Sequence, residues 1–126
     1  MSDLLVAAPI LAVPSVAESV EYYERCFGFT KQQYFDGNDV YVVITLHSAQ
    51  IHFIKCKNTN PNNIRSMHVA DVFVWVDNLD AVCARAAANG LTALRGPERY
   101  DTVPVATTEV VYPDNNGYWI CFAVRH

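Results

Sequence analysis

The chain has 126 residues, enough for one domain of ordinary size that buries most of its core. Its composition, 52% apolar with only 17% charged residues, excludes an intrinsically disordered chain. The net charge of −4 disfavours nucleic acid as a partner, and no apolar run approaches the roughly 18 residues that a membrane-spanning helix needs.

The first half of the chain predicts a strand, a helix and three more strands. An apolar run at residues 5–13 predicts a buried strand. Ser15 and Glu18 form a capping box that begins the next helix. That helix covers residues 16–27 and ends at Gly28, a typical C-terminal glycine. Three strands follow, at residues 29–35, 40–46 and 50–56.

A polar segment separates this half from the second half. Residues 58–68 are rich in asparagine and lack any apolar period, which indicates a linker. The second half then begins with a strand at 72–76 and a helix at 79–89. Asp77 or Asn78 caps that helix, and both interpretations remain open.

The rest of the second half is predicted as a strand, a loop and a hairpin. A short strand at 92–94 precedes a segment at 96–104, which is too rich in proline for regular structure. The closing hairpin pairs residues 106–112 with residues 118–124 across the turn at 113–117. Each half therefore has the order βαβββ.

The repeat predicts an α+β fold of two βαβββ modules with a groove between them. We expect a single domain at residues 1–126, with modules at about 4–57 and 69–125. The unit is half of the chain, which is too long for a solenoid repeat.

Strand alternation assigns side chains to two faces of each predicted sheet. In the strand at 72–76 one face is aliphatic and suits covering helices, so the other face points to the groove. The side chains assigned to the helices are Ile51, Phe53, Val72, Val74, Val76, Ile120 and Phe122. The side chains assigned to the groove include His52, Asp71, Phe73, Trp75, Trp119 and Cys121.

Each groove residue also has a purely structural interpretation. Phe73 and Trp75 could fill the core of a sheet that closes on itself. His52 could be a hydrogen-bonded interior histidine, and Asp71 could cap a strand end. Cys121 could pack as a small hydrophobic residue.

Two residues outside the predicted strands could reach the groove. Tyr100 lies in the predicted loop and could close over a ligand as part of a lid, or belong to a mobile surface loop. His68 precedes the strand at 72–76 closely enough to reach the mouth of the groove.

The four cysteines show no paired CxxC spacing, and nothing at the N-terminus combines a basic region with an apolar region as a secretion signal does. We therefore expect reduced thiols and a cytoplasmic location. The sequence also contains no GxSxG, P-loop or dinucleotide fingerprint. Nucleophilic catalysis therefore has no support.

Three segments together resemble the vicinal oxygen chelate superfamily, which contains glyoxalases, extradiol dioxygenases, and fosfomycin- and bleomycin-resistance proteins. Residues 9–29, including VAESVEYYERCFGF, resemble the opening of its first module. ADVFVWVDNLDAV resembles the opening of its second module, and PDNNGYWICF its closing hairpin. The resemblance implies the glyoxalase/bleomycin-resistance fold, in which two modules form a half-barrel.

The resemblance also implies where a catalytic metal would bind. The four places that supply ligands in metal-dependent members fall at Ala8, His52, Asp71 and Cys121. Alanine cannot coordinate a metal, and the remaining set matches no common catalytic arrangement. We therefore expect no metal cofactor, with a divalent metal at His52 and Asp71 as the weaker alternative.

The bleomycin-resistance branch lacks these ligands, and its first strand and helix are the most similar to residues 7–29. That resemblance implies a homodimer, with grooves at or near the subunit interface, that sequesters a cationic or planar small molecule such as an antibiotic without turnover. The ligand-binding residues would be His52, Asp71, Phe73, Trp75, Tyr100, Trp119 and Cys121. Pro9 interrupts the first strand and would permit its exchange between subunits.

Two competing functions remain open. One is a metal-dependent lyase, isomerase or dioxygenase that uses His52 and Asp71 with further ligands such as His68 or Glu109. The other is a structural or regulatory module that binds neither a metal nor a small molecule.

Overall fold

Each half of the chain folds into a four-stranded sheet with one helix. The computed structural model describes residues 7–35, 39–62, 70–101 and 104–126. The elements in chain order are β1 (Ile10–Val13), α1 (Val16–Phe27), β2 (Thr30–Phe35), β3 (Tyr41–Leu46), β4 (Ala49–Lys55), β5 (Val72–Trp75), α2 (Leu79–Ala88), β6 (Arg95–Tyr100), β7 (Thr107–Pro113) and β8 (Trp119–Arg125).

The two sheets have the same topology. Sheet A has the strand order β1-β4-β3-β2, and sheet B has the order β5-β8-β7-β6. In each sheet the first strand of the module is parallel to the last one, and the other pairs are antiparallel. The prediction of an α+β fold with two βαβββ modules is confirmed.

The helix caps follow the sequence signals. The Ser15 hydroxyl accepts a hydrogen bond from the Glu18 amide at 3.2 Å, and Gly28 ends α1 with a φ of 79°. The cap of α2 is Asn78, whose side chain accepts a hydrogen bond from the Ala81 amide. Among the described residues, no helix is long and apolar enough to cross a membrane.

Strand β1 is shorter than predicted. It covers Ile10–Val13, whereas residues 7–9 of the predicted strand are not in a strand. Residues 5 and 6, like residues 63–69 of the predicted linker and module boundary, lie outside the described part of the chain. The Pro9 carbonyl nevertheless accepts a hydrogen bond from the His52 amide. The chain is therefore hydrogen-bonded to β4 one residue before β1 begins.

The prediction for the segment before β7 is wrong. A strand was expected at 92–94 and a loop at 96–104, but the strand is β6, Arg95–Tyr100. Gly96 and Pro97 lie in a bulge, where two residues of β6 face one residue of β7. Proline is tolerated there because β6 is an edge strand and a bulged residue has no ladder hydrogen bond to donate. Gly96 adopts a φ of 80°, and a Cβ atom there would collide with a carbonyl oxygen of β7.

One hydrophobic core joins both modules. Helix α1 packs on its own sheet and also on the second module. The centre of the Phe27 ring lies 5.2 Å from that of Phe122 and 6.0 Å from that of Tyr112. Toward sheet A, the ring of Tyr23 in the same helix packs against Phe53, with 5.1 Å between the ring centres. The side chains assigned to the helices by strand alternation lie in or against this core. That assignment is confirmed.

A buried carboxylate connects α1 with the β7–β8 turn. Asp114 is 7% exposed, and one of its oxygens accepts the hydroxyl of Tyr23 at 2.6 Å. Its other oxygen accepts the amides of Asn116 and Tyr118. Burial raises the pKa of Asp114 and also that of Tyr23, whose pKa the Asp114 charge raises further. The hydroxyl of Tyr118 in turn donates to the Ala12 carbonyl at 2.7 Å, which ties the same turn to β1.

A second contact between the modules lies at the C-terminal end of α1. The last carbonyls of a helix have no partner within the helix. Here Arg85 of α2 donates to the carbonyls of Glu24 and Arg25, at 3.0 and 3.2 Å, and Asn89 donates to Arg25 as well. Helix α1 is thus fixed to the second module both at Tyr23 and at its last carbonyls.

Tyr23→Phe should lower the free energy of unfolding by about 1–3 kcal/mol, because the buried Asp114 carboxylate loses its hydroxyl donor. Urea denaturation measures this loss. Tyr22→Phe is the matched control, since its hydroxyl donates over 3.3 Å to a carbonyl at a partly buried site and should cost less than about 1 kcal/mol. Equal losses for the two variants would contradict the importance of the Asp114 contact.

Candidate functional site

Each sheet has a second face that points away from the shared core, and we call it the open face. Cross-strand partners lie on the same face, so the register defines its rows. The open face of sheet B has four rows: Trp119 and Pro113; Phe73, Cys121, Val111 and Arg95; Trp75, Ala123, Glu109 and Glu98; Arg125, Thr107 and Tyr100. The open face of sheet A includes Ile10, His52 and Val43, followed by Ala12, Ile54 and Tyr41.

An aromatic pair stands on the open face of sheet B. Phe73 is 48% exposed and Trp75 is 46% exposed, and their rings meet edge to face at 4.9 Å. The guanidinium of Arg125 lies 4.4 Å from the centre of the Trp75 ring. In the single chain the pair is therefore outside the core, and the interpretation of Phe73 and Trp75 as core residues is wrong.

A polar centre lies next to this pair. Glu109 of β7 accepts a hydrogen bond from the Thr107 hydroxyl at 3.0 Å and one from the Cys121 thiol at 3.6 Å. The small, buried Ala123 separates it from Trp75 in the same row. The sequence interpretation named Glu109 only as an unplaced metal ligand. Strand alternation along β7 places Glu109 on this face, so the period of the pleat is the signal in the sequence that locates it.

The thiol of Cys121 is held in its neutral form. The side chain is 4% exposed, and burial together with the neighbouring Glu109 charge raises its pKa to about 12. Thiolates, not thiols, act as nucleophiles and metal ligands. At neutral pH Cys121 therefore serves as a packed hydrogen-bond donor to Glu109.

Asp71 lies at the start of β5 and binds backbone amides. One carboxylate oxygen accepts the amide of Asn62 at 2.6 Å, and the other accepts the amide of Trp119 at 2.8 Å. Its own amide donates to the Trp119 carbonyl. Asp71 thus fixes the linker at Asn62 to β8, as expected of a residue that caps a strand.

His52 lies on the other sheet, in the open face of sheet A. Its Nδ1 atom shares a hydrogen bond of 2.6 Å with the hydroxyl of Tyr41, and the two rings meet edge to face. Ile10 and Val43 are its neighbours on the adjacent strands. The cross-strand neighbours of His52 are therefore apolar, and its Nδ1 atom contacts the Tyr41 hydroxyl.

The prediction that Tyr100 lies in an irregular loop is wrong. Tyr100 is the last residue of β6, paired with Thr107, and its hydroxyl donates to Glu98 at 3.0 Å. It belongs to the row of the open face of sheet B that also contains Arg125. The other residue expected near the groove mouth, His68, lies outside the described part of the chain.

Two hollows adjoin Trp75. One, of about 220 Å³, is lined by both modules, with Pro9 and Gln50 on one side and Phe73 and Trp75 on the other. The second, of about 510 Å³, opens to solvent between Trp75, Asp77 and Arg125. Trp75 lines both hollows, and its ring is half exposed.

The four places that the resemblance gives for a metal do not form a suitable set of donors. Ala8 supplies no donor atom, both oxygens of Asp71 bind amides, and Cys121 is protonated at neutral pH. Over residues 7–35, 39–62, 70–101 and 104–126, no three His, Cys, Asp or Glu side chains come together as a metal site. The described residues at these places do not fit a catalytic metal.

Comparisons with known proteins connect this fold to a family. The family model of the Glyoxalase/Bleomycin resistance protein/Dioxygenase superfamily matches residues 5–122. An integron cassette protein from V. cholerae is 16% identical with a TM-score of 0.70, covering 98% of this chain and 97% of that one. TioX from Micromonospora sp. ML1 is also 16% identical, with a TM-score of 0.71 and 95% of each chain covered. A glyoxalase/bleomycin resistance protein/dioxygenase from Alicyclobacillus acidocaldarius is 10% identical, with a TM-score of 0.73 and coverages of 95% and 90%.

Among curated proteins, the chain is 27% identical over 119 residues to the major spike protein G of Escherichia phage G4. The match covers 93% of this chain and 56% of that protein, so the chain spans little more than half of its length. At these identities the similarity to the solved structures shows the fold alone. The similarity to the phage protein does not assign this chain to a family.

Iodoacetamide at about pH 8 should label Cys56 and leave Cys121 unlabelled in the folded protein, because Cys56 is exposed and the Cys121 thiol does not ionise there. Mass spectrometry of tryptic peptides locates the label. Cys56→Ser should abolish the fast phase of labelling. Rapid modification of Cys121 in that variant would contradict a protonated, packed thiol.

Proposed function

Because the chain belongs to the glyoxalase/bleomycin resistance protein/dioxygenase superfamily, we propose that it is a binding protein of the bleomycin-resistance type. It takes up a planar, cationic small molecule, such as an antibiotic, on the open face of sheet B and releases it unchanged. The observation that carries the proposal is the half-exposed pair of Phe73 and Trp75 beside the Glu109 carboxylate.

The aromatic pair suits a flat ligand. Large apolar side chains that stay exposed next to a hollow usually mark a binding surface. The Phe73 edge supports the Trp75 ring, so the indole is held ready for stacking at little further cost in side-chain entropy. A cation over a Trp face gains about 0.5–2 kcal/mol.

The counter-charge for the ligand is Glu109, where the sequence had suggested Asp71. Both oxygens of Asp71 bind backbone amides, whereas the Glu109 carboxylate lies on the open face with Thr107 and Cys121 as donors. Since both donors are neutral, the negative charge of Glu109 is not cancelled by them. In their row of the open face, Ala123 lies between Glu109 and Trp75.

Uptake without turnover follows from the chemistry of the same surface. A nucleophilic mechanism needs an activated group, and the Cys121 thiol has a pKa raised to about 12. Lewis-acid chemistry needs three or so protein ligands, and the four places at which they are expected do not provide them. The surface is equipped for stacking and charge pairing.

Trp75→Ala should weaken binding of N-methylquinolinium, a planar cation, about 2- to 30-fold, because the stacking surface is lost. Isothermal titration calorimetry measures the affinity. The free energy of unfolding should stay within about 1 kcal/mol of the wild type, since the ring is half exposed. Leu94→Ala is the matched control, as Leu94 is equally exposed at 47% but lies outside the rows of the open face. Unchanged affinity in Trp75→Ala would refute the site.

We further propose that the protein is a homodimer that covers part of the open faces. Ile10 is 59% exposed and Ile54 is 39% exposed on the open face of sheet A, and Phe73 and Trp75 add exposed area on sheet B. A second copy that lies over these faces would remove this apolar area from water, at roughly 25 cal/mol per Å². The ligand site would then lie at or near the subunit interface.

Sedimentation equilibrium should give about twice the chain mass of 14.1 kDa for the wild type. Ile54→Asp should shift the protein to the monomer, because it places a charge among the apolar side chains of the open face of sheet A. Leu94→Asp adds the same charge at a comparable exposure outside the proposed interface and should leave the dimer intact. A monomeric wild type would refute the dimer.

We also propose that binding requires no metal cofactor. Elemental analysis of protein purified without a polyhistidine tag and dialysed extensively should give much less than one Fe, Mn, Ni or Zn per chain, because the donor set is incomplete. A stoichiometric metal that survives dialysis would overturn the binding-only function.

A further inference from the structure

We propose that Arg125 selects the ligand of this site: its guanidinium holds the stacking position on Trp75, and the ligand that binds is a planar, delocalised cation that displaces it. This inference rests on the proposed function and names the ligand class for the same surface. Amidinium, guanidinium and N-alkylated heteroaromatic cations belong to that class.

The register places Arg125 over the indole. Trp75 pairs with Ala123, and Arg125 follows two residues later on the same face of β8. Diagonal neighbours of this kind are within reach of long side chains. The result is a distance of 4.4 Å between the guanidinium carbon and the centre of the Trp75 ring. This distance is well inside the range of about 6 Å for cation–π contacts.

The contact can be broken without disturbing the sheet. Arg125 is exposed, lies at the end of the last strand and lines the open hollow of about 510 Å³ with Trp75 and Asp77. A displaced Arg125 side chain can move into water, where a guanidinium is fully solvated. The loss is limited to the cation–π contact and the packing of its methylene groups.

The bound guanidinium indicates what the indole face accepts. A guanidinium is planar, delocalised and more weakly hydrated than an ammonium, so it stacks on an aromatic ring with little loss of hydration. A ligand with the same properties and a larger π-surface would displace it and also gain the attraction of Glu109. A neutral planar molecule would lack that attraction, and a compact ammonium would lack the stacking.

Displacement also sets the apparent affinity. A ligand that binds only when the indole is uncovered loses affinity in proportion to the fraction of time that Arg125 covers it. The positive charge of Arg125 also repels a cationic ligand and so weakens its binding further. Removing the guanidinium should therefore tighten the binding of planar cations, a direction opposite to that expected for an ordinary contact residue.

The first experiment tests the cover over Trp75 directly and needs no ligand of high affinity. In a Trp119→Phe background Trp75 is the only tryptophan, so its fluorescence can be quenched selectively. Arg125→Gln should raise the quenching constant for the N-methylnicotinamide cation about two- to fivefold, and that for neutral acrylamide less. Arg99→Gln removes the same charge from an exposed ion pair with Asp101 and should change neither constant. Equal quenching in Arg125→Gln and the Trp119→Phe parent would overturn the inference.

The second experiment tests ligand selection, with N-methylquinolinium and neutral quinoline as probes. Arg125→Gln should bind the cation about three- to tenfold more tightly than the wild type, Arg125→Lys less than that, and Arg99→Gln equally to the wild type. The gain for quinoline should be smaller. If both probes bind independently of Trp75, the proposed function fails. If the cation binds through Trp75 but Arg125→Gln weakens its binding or leaves it unchanged, only the role of Arg125 is refuted, and weaker binding would make Arg125 a contact for the ligand.

Discussion

The hydrogen bond between Tyr23 and Asp114 sets the arrangement on which the rest of the structure depends. A carboxylate that is 7% exposed must be satisfied by donors, and here the donors come from a helix of the first module and from the turn of the second. The contact fixes the turn of the last hairpin against α1. Because α1 also packs on Phe53 of sheet A and Phe122 of sheet B, both sheets turn their covered faces toward one core.

This arrangement explains why the protein keeps large aromatic side chains in contact with water. Once the covered faces share one core, the opposite faces of both sheets point outward. Phe73 and Trp75 then remain half exposed although they alternate with the buried Val72 and Val74. The free energy lost by their exposure is recovered when a ligand or a second copy of the chain covers them. The proposed binding and the proposed dimer therefore rest on the same geometry.

The open face of sheet B combines an aromatic pair with a carboxylate and a neutral thiol. Glu109 accepts hydrogen bonds from a hydroxyl and a thiol, Cys121 stays protonated, and Trp75 lines two hollows. The planar guanidinium of Arg125 already stacks on the indole of Trp75. In the proposed mode of binding a ligand must displace this guanidinium, so the affinity for the ligand depends on how readily Arg125 leaves the ring. The selectivity and the strength of binding would then be set by different residues.

The sequence by itself determined the local structure and the two faces of the strands. Capping residues such as Ser15, Asn78 and Gly28 act within one helical turn, and strand alternation needs only the period of the pleat. The α+β order of two βαβββ modules and the placement of Trp75 on the face away from the helices were therefore predictable. Only the tertiary structure decided the contacts that join distant segments. The bulge at Pro97 depends on the neighbouring strand, the use of Asp71 depends on the amides of residues 62 and 119, and the contact of Arg125 with Trp75 depends on strand register. Such pairings join residues far apart in the chain, and no local pattern encodes which groups meet.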